Sequence, residues 1–165
     1  MTSVPVRLIH GDIGSGKTRR AAAWAEAEIL DGRRPGGVLA LKSPTGRRFM
    51  DLMTGDDVAL EHPREDEVAV PVGRFQFRQA AFDWATQRIE AAAEQGVSGI
   101  IIDEVGPLEM SGGGFADLID RLARDHPAVE RILLVRTSLI DAVATRFGGG
   151  ACLFEPPRNL GTSAA

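Results

Sequence analysis

Cysteine is almost absent from this chain, in which Cys152 is the only one among 165 residues. A single cysteine cannot form an internal disulfide, so the simple expectation is a reducing compartment. No apolar run approaches the length needed to cross a membrane, and the N-terminal residues lack the long apolar segment of a secretion signal. The sequence therefore predicts a soluble, cytoplasmic protein without membrane insertion.

A strong excess of charge is also missing. The chain has 19 basic and 23 acidic residues, for a formal net charge of −4. This balance gives no sign of a nucleic-acid surface, so no nucleic-acid partner is predicted. The sequence does not identify a protein partner. The length suits one domain with a hydrophobic core and is short for two, so residues 1–165 are predicted to form a single domain.

Short apolar segments separated by turn residues predict alternating strands and helices. We expect strands at residues 6–9, 37–41, 99–102, 131–136 and 151–154, and helices at residues 18–30, 79–95, 115–123 and 138–146. The last helix is expected to use Ser138 as its N-cap. Alternation of this kind predicts an α/β fold with three layers, in which helices cover both faces of a mostly parallel sheet. In such sheets, ligands bind beyond the carboxyl ends of the strands.

The middle of the chain has the weakest pattern. Residues 42–48 are expected to form a hairpin loop and residues 49–52 a return strand, with further short strands at residues 58–60 and 68–70. Glycine and proline recur here among scattered arginines, which is typical of loops and turns. We therefore predict a small β-rich insertion at about residues 42–75, near the ligand site and more mobile than the sheet.

A glycine-rich octet, GDIGSGKT, fits the pattern G-x-x-x-x-G-K-[ST] at every fixed position. In this P-loop pattern, glycines let the backbone approach a phosphate, and free N–H groups at the start of a helix point toward it. Lys17 is expected to reach the β- and γ-phosphates, and the Thr18 hydroxyl to bind Mg²⁺. The alternative is a chance match in a tight turn. The candidate phosphate-binding residues are Gly11, Asp12, Ile13, Gly14, Ser15, Gly16, Lys17 and Thr18.

A second motif follows the apolar run at residues 99–102, where three isoleucines lead into Asp103 and Glu104. An apolar strand that ends in an acid is typical of a Walker B motif, whose acid holds Mg²⁺ directly or through water. We expect Asp103 to have that role. Successive residues at a strand end face opposite sides, so Glu104 is the candidate general base that takes a proton from an attacking water. Alternatively, both acids form a solvated turn or cap a helix.

With these motifs in place, the chain resembles the THEP-type nucleoside-triphosphatases, which include thermophile enzymes and the animal cancer-related nucleoside-triphosphatase. The specific part of the resemblance is the run from Asp103 to Glu109, in which Val105, Gly106 and Leu108 also match the family signature. The middle of the chain matches at Gly46-Arg47-Arg48, Thr54-Gly55 and Val72-Gly73-Arg74-Phe75.

The resemblance implies a RecA-like P-loop domain that hydrolyses nucleoside triphosphates with Mg²⁺ and little base selectivity. It also implies that the strand at residues 131–136 lies between the strands of the two motifs, so that Arg136 faces the γ-phosphate or the water. An arginine at this position is unusual for the family. The tail at residues 156–159 only loosely resembles a family segment that contacts the base.

The predicted function is therefore a Mg²⁺-dependent nucleoside-triphosphatase in which Lys17 and Glu104 are catalytic and Thr18 and Asp103 hold the metal. Two alternatives remain open: a nucleotide or small-molecule kinase, and a slow accessory protein that acts as a timer for a partner. Phosphoryl-transfer sites often include an additional cation. The sequence does not decide which arginine supplies it, and the candidates are Arg47, Arg48, Arg74 and Arg136.

Overall fold

The computed structural model describes residues 4–148 and 151–155. Its strands are β1 (Val6–His10), β2 (Pro35–Ser43), β3 (Gly46–Asp51), β4 (Asp57–Ala59), β5 (Ala69–Val72), β6 (Phe75–Arg78), β7 (Gly99–Ile102), β8 (Glu130–Val135) and β9 (Cys152–Leu153). Its helices are α1 (Lys17–Leu30), α2 (Gln79–Glu94), α3 (Pro107–Met110), α4 (Ala116–Asp125) and α5 (Ile140–Phe147), with a 3₁₀ turn at Thr137–Leu139.

The main sheet has seven strands in the order β4-β3-β2-β7-β8-β1-β9. From β2 to β9 the neighbouring strands run parallel, and β3 and β4 extend the sheet antiparallel beyond β2. This architecture confirms the predicted α/β fold with a mostly parallel sheet. As expected, β8 lies between β7 and β1, so the segments that follow these three strands meet at one edge of the sheet.

Helices cover both faces of the sheet. On one face, Ala21, Trp24 and Ala25 of α1 pack against β1, β2, β7 and β8. On the other face, the apolar sides of α2, α4 and α5 form the larger part of the core. The isoleucines of β7 alternate between the two faces and are fully buried. A strand that is buried on both faces has no polar alternation, which explains the continuous apolar run in its sequence.

The elements around the sheet agree with the sequence pattern. In α2, the residues expected on one helical face are buried: Phe82, Ala85, Ile89, Ala92 and Ala93. Gly96 follows that helix with φ 71°, a left-handed conformation that favours glycine after a helix end.

The hairpin of β2 and β3 is tighter than predicted. Residues 42–43 and 46–48, expected in a loop, belong to β2 and β3, because Ser43 pairs with Gly46 and only residues 44–45 form the turn. Pairing of β2 with β3 from Val38 to Ser43 outweighs the local turn signal of glycine. The strand expected at residues 68–70 is also displaced, since β5 is Ala69–Val72.

Two short elements were not predicted, and one cap was predicted wrongly. The strand β6 pairs with β5 in a separate two-stranded sheet, and α3 directly follows the acidic pair. Ser138 is not the N-cap of α5, because it lies inside the 3₁₀ turn, where the Leu139 N–H already donates to the Arg136 carbonyl at 2.9 Å. Backbone hydrogen bonding therefore takes the place of the side-chain cap.

The predicted single domain with an insertion at about residues 42–75 stays a prediction, as does the cytoplasmic location. Within that range, β3 and β4 belong to the main sheet, whereas β5 lies in the two-stranded sheet. The tail at residues 156–159 lies outside the described residues. Where the structure describes the chain, none of its helices combines the length and the apolar character required to span a membrane.

Candidate active site

The octet connects the end of β1 to the start of α1, which is the context that a phosphate-binding loop requires. The Gly11 N–H donates to the Val135 carbonyl at 3.3 Å and holds the loop against β8. Gly14 and Gly16 have φ of 77° and 90°, a left-handed region in which a side chain is strained. Residues 13–18 line a large cleft, whereas Gly11 and Asp12 do not. The sequence therefore forms a strand, an open loop and a helix in the expected order.

Lys17 fills the centre of the loop. Its Nζ donates to the Gly11 carbonyl at 2.9 Å and to the Asp12 carbonyl at 3.3 Å. The residue is only 7% exposed although it lines the cleft. The low exposure arises because the ammonium group turns into the loop and donates to its carbonyls.

Thr18 and Asp103 meet although they are far apart in the sequence. The Thr18 hydroxyl donates to Oδ2 of Asp103 at 2.8 Å, and the Ala40 N–H of β2 donates to the same oxygen at 2.9 Å. Burial raises the pKa of Asp103 to about 6, and these two hydrogen bonds oppose that rise. A hydroxyl beside a carboxylate is a set of hard oxygen donors, which fits Mg²⁺.

A metal bound here would draw its remaining ligands from elsewhere. Among the described residues, no group of three or more histidine, cysteine, aspartate or glutamate side chains lies together. Mg²⁺ commonly binds through one or two protein oxygens, with waters and substrate phosphates as its other ligands. The donor set of Thr18 and Asp103 is consistent with that mode.

Glu104 lies at the wall of the same cleft and faces Arg136. Oε1 of Glu104 is 3.3 Å from Nε of Arg136, and both side chains are partly exposed. The contact is an ion pair without hydrogen-bond geometry. The carboxylate of Glu104 therefore remains able to accept a hydrogen bond from a water or a substrate. Arg136 follows β8, at the position expected from the strand order.

The cleft has a volume of about 1040 Å³ and has two different ends. One end contains residues 13–18 and the acids that follow β7. The other end has an apolar floor and a basic rim that includes Arg47 and Arg74. Arg48 is not part of the cleft, because its guanidinium pairs with Asp57 at 2.8 Å. Three of the four candidate arginines thus lie at the cleft, and one does not.

Glu109 shapes the loop that follows the acidic pair, a role that sequence reasoning did not assign. It is 3% exposed, and its two oxygens accept the Gly106 N–H at 2.9 Å and the Phe115 N–H at 3.0 Å. Burial raises the pKa of Glu109 to about 7, although both hydrogen bonds oppose that rise. The contact of Glu109 with the Gly106 N–H is one half of a capping box; the other half is missing because Gly106 has no side chain, so the sequence carries only the spacing of the glutamate.

Over most of its length, the chain is similar to proteins of one family. The model of a family described as NTPase matches residues 7–147. Nucleoside-triphosphatase THEP1 of Methanopyrus kandleri is 30% identical over 128 residues, which cover 74% of this chain and 69% of that protein.

Two solved structures share the fold. One is the solution structure of a human cancer-related nucleoside triphosphatase, with a TM-score of 0.70 and 16% identity, covering 94% of this chain and 90% of the other. The second is the crystal structure of THEP1 from the hyperthermophile Aquifex aeolicus, with a TM-score of 0.64 and 21% identity, covering 95% and 92% of the two chains.

Proposed function

Because the chain belongs to the NTPase family and is a nucleoside-triphosphatase, we propose that it hydrolyses Mg²⁺-bound nucleoside triphosphates to the diphosphate and phosphate, with broad base specificity. The observation that carries the proposal is the 2.8 Å hydrogen bond between Thr18 and Asp103. It joins the phosphate loop to the acidic strand end, so that triphosphate, metal and water share one site.

The loop residues bind the phosphates. Lys17 holds loop carbonyls in the free protein and exchanges them for phosphate oxygens when substrate enters. The N–H groups at the start of α1 face the same end of the cleft, where the helix dipole favours an anion. The proposed phosphate-binding set is the octet from Gly11 to Thr18. Gly11 and Asp12 do not line the cleft, and they act by holding the Lys17 side chain through their carbonyls.

Thr18 and Asp103 hold the metal in this proposal. When bound, Mg²⁺ neutralises charge on the phosphate oxygens and orients the γ-phosphate. The Ala40 N–H keeps Oδ2 of Asp103 in place through its 2.9 Å hydrogen bond. Because Asp103 is almost completely buried, its carboxylate has little freedom to leave this position.

Glu104 accepts the proton of the attacking water. General-base catalysis requires a carboxylate within hydrogen-bond reach of the water, and Glu104 is only partly buried at the cleft wall. Arg136 supplies a cation beside it, which suits the negative charge that builds up on the transferred phosphoryl group. Glu104 and Lys17 are thus the proposed catalytic residues, with Arg136 as an additional cation.

Phosphate release from ATP, GTP, CTP and UTP, each with and without Mg²⁺, tests this function. We expect turnover of all four triphosphates that requires the metal. Turnover of only one base would contradict broad specificity, and turnover in the presence of a chelator would contradict the metal site. An assay with added hydroxyl or phosphate acceptors tests the kinase alternative, because a kinase would place the phosphate on the acceptor.

A further inference from the structure

The end of the cleft away from the phosphate loop carries three cations that have no carboxylate partner among the described residues: Lys42, Arg47 and Arg74. Glu61 accepts the backbone N–H of Arg47 but forms no ion pair with the Arg47 side chain. We refer to these three residues as the basic rim.

Most of the described arginines outside the cleft form ion pairs, although Arg34 donates to the Gln95 side-chain oxygen instead. Arg33 pairs with Glu28, Arg78 with Glu67 and Arg146 with Asp120. The contrast is sharpest within β3, where Arg48 and Arg47 are adjacent. Arg48 pairs with Asp57 on β4, whereas Arg47 lines the cleft without an acidic partner. The basic rim is therefore a local exception in a protein whose net charge is negative.

The arrangement also places like charges against each other. Lys42 of β2 and Arg47 of β3 are directly paired across the hairpin, so their side chains lie on the same face of the sheet. Like charges at such a position destabilise the free protein, and an anion bound between them removes the repulsion.

Phe75 of β6 orients two of the three cations. The guanidinium carbons of Arg47 and Arg74 lie 4.8 Å and 5.1 Å from the centre of its ring. Stacking on a ring occupies the flat face of a guanidinium and leaves its N–H edge free for a phosphate. Below the rim, the cleft floor is apolar and contains the buried side chains of Phe49, Leu60, Phe77 and Phe82.

From these observations, we propose that the basic rim and the apolar floor form a second ligand site, which binds a phosphorylated compound with an aromatic body, such as a nucleoside monophosphate. The phosphate contacts Lys42, Arg47 and Arg74, and the aromatic body covers the phenylalanine floor. The amphiphilic character of this end of the cleft matches such a ligand.

The position of the rim separates it from the substrate phosphates. In the sheet, β3 lies two strands beyond β7, which carries the metal-binding acid, and four strands from β1, which carries the phosphate loop. With neighbouring strands about 4.8 Å apart, the backbone of Arg47 lies about 10 Å to the side of β7 and that of Lys42, on β2, about 5 Å, both on the side away from the phosphate loop. A triphosphate held by the loop and the metal leaves this end of the cleft for a second molecule.

Calorimetry on protein saturated with Mg²⁺ and a non-hydrolysable triphosphate analogue tests the second site. AMP, GMP, CMP and UMP serve as the probes. We expect at least one of them to bind to the saturated protein, and its affinity to fall about 10-fold in Arg47→Gln and in Arg74→Gln, since each change removes one charge-assisted contact. The matched control is Arg48→Gln, in which the affinity for the monophosphate is expected to stay unchanged.

Three results would overturn the second site: no monophosphate binds, the monophosphate competes with the analogue, or the double variant of Arg47 and Arg74 binds it as tightly as the wild type. Unchanged affinity for the analogue in each variant shows that the fold is intact. The same titration on Lys17→Ala without the analogue is expected to give wild-type affinity for the monophosphate. Loss of binding there would assign the probe to the phosphate loop and also overturn the proposal.

Discussion

At the scale of single residues, each proposed role depends on one or two contacts that a substitution can remove. Lys17 is a clear case, because its ammonium group donates to two loop carbonyls and is otherwise buried. We expect Lys17→Ala to abolish triphosphate binding while the protein remains folded. The stability loss is expected to be about 1–3 kcal/mol, because the Gly11 carbonyl loses a charged donor while the Asp12 carbonyl keeps the Ser15 N–H. Calorimetry with ATP and thermal unfolding measure the two effects, and unchanged affinity in the folded variant would contradict the phosphate-loop role.

Arg136 follows β8 and lines the cleft, and its guanidinium lies beside Glu104. We expect Arg136→Gln to lower kcat by about 10²-fold with a smaller change in KM, because a cation near the transferred phosphoryl group acts mainly in the transition state. Arg136→Lys is expected to recover part of the loss, and Arg48→Gln, which lies outside the cleft, to retain full activity. Equal kcat in wild type and Arg136→Gln would exclude the arginine from the reaction.

At the scale of elements, Glu109 connects the start of α3 to the residue before α4 and makes stability depend on pH. Its pKa is raised from 4.5 to about 7 by burial. Between these two pH values, the folded state therefore keeps a proton on Glu109 that the unfolded state has released. The stabilisation is fully present below the unfolded pKa and is lost as the pH rises through about 7. Relative to Glu109→Gln, which does not titrate, the wild type is expected to lose roughly 2–3 kcal/mol between pH 5 and pH 8.

Urea unfolding of both proteins at the two pH values measures this difference. A stability difference between wild type and Glu109→Gln that does not change with pH would show that Glu109 ionises normally in the folded protein. Because only the slope with pH is compared, any constant cost of placing an amide opposite two N–H groups does not affect the result.

The two-stranded sheet of β5 and β6 is an element of a different kind from the main sheet. Each of its strands has four residues, and apart from one bridge between Phe77 and Glu61 they pair, among the described residues, only with each other, whereas β7 is buried on both faces between β2 and β8. We expect amide hydrogens in β5 and β6 to exchange much faster than those in β7, and to slow when a ligand fills the cleft. An exchange map in which both regions are equally protected, with and without nucleotide, would contradict this expectation.

At the scale of the whole molecule, the sequence predicts the parts whose signals are local. The phosphate loop, the buried isoleucine strand and the amphipathic α2 follow from spacing and composition alone. The contact between Thr18 and Asp103 depends on strand order, which periodicity does not encode and which came from family resemblance. The two-residue hairpin turn was missed because the pairing between β2 and β3 decides it, and the hydrogen bonds of Lys17 to the loop carbonyls were not anticipated.

The positions of the arginine side chains around the cleft also could not be predicted from local sequence signals. The four candidate arginines could not be ranked from the sequence, since Arg47 and Arg48 are neighbours of the same type. Arg47 lines the cleft and Arg48 forms an ion pair because they lie on opposite faces of β3, and because Asp57 lies on the neighbouring strand β4. Long-range pairing therefore distributes the charged residues between the cleft and the surface.

The central claim is that Glu104 activates water while Asp103 holds the metal, and single-turnover hydrolysis with parallel nucleotide binding tests it most directly. Glu104→Gln keeps the size of the side chain but cannot accept the proton. We expect this variant to bind Mg²⁺-ATP like the wild type and to hydrolyse it about 10²–10⁴-fold more slowly. Asp103→Asn is expected to weaken metal-dependent binding itself. Hydrolysis at the wild-type rate in Glu104→Gln would remove this glutamate from the mechanism and contradict the account.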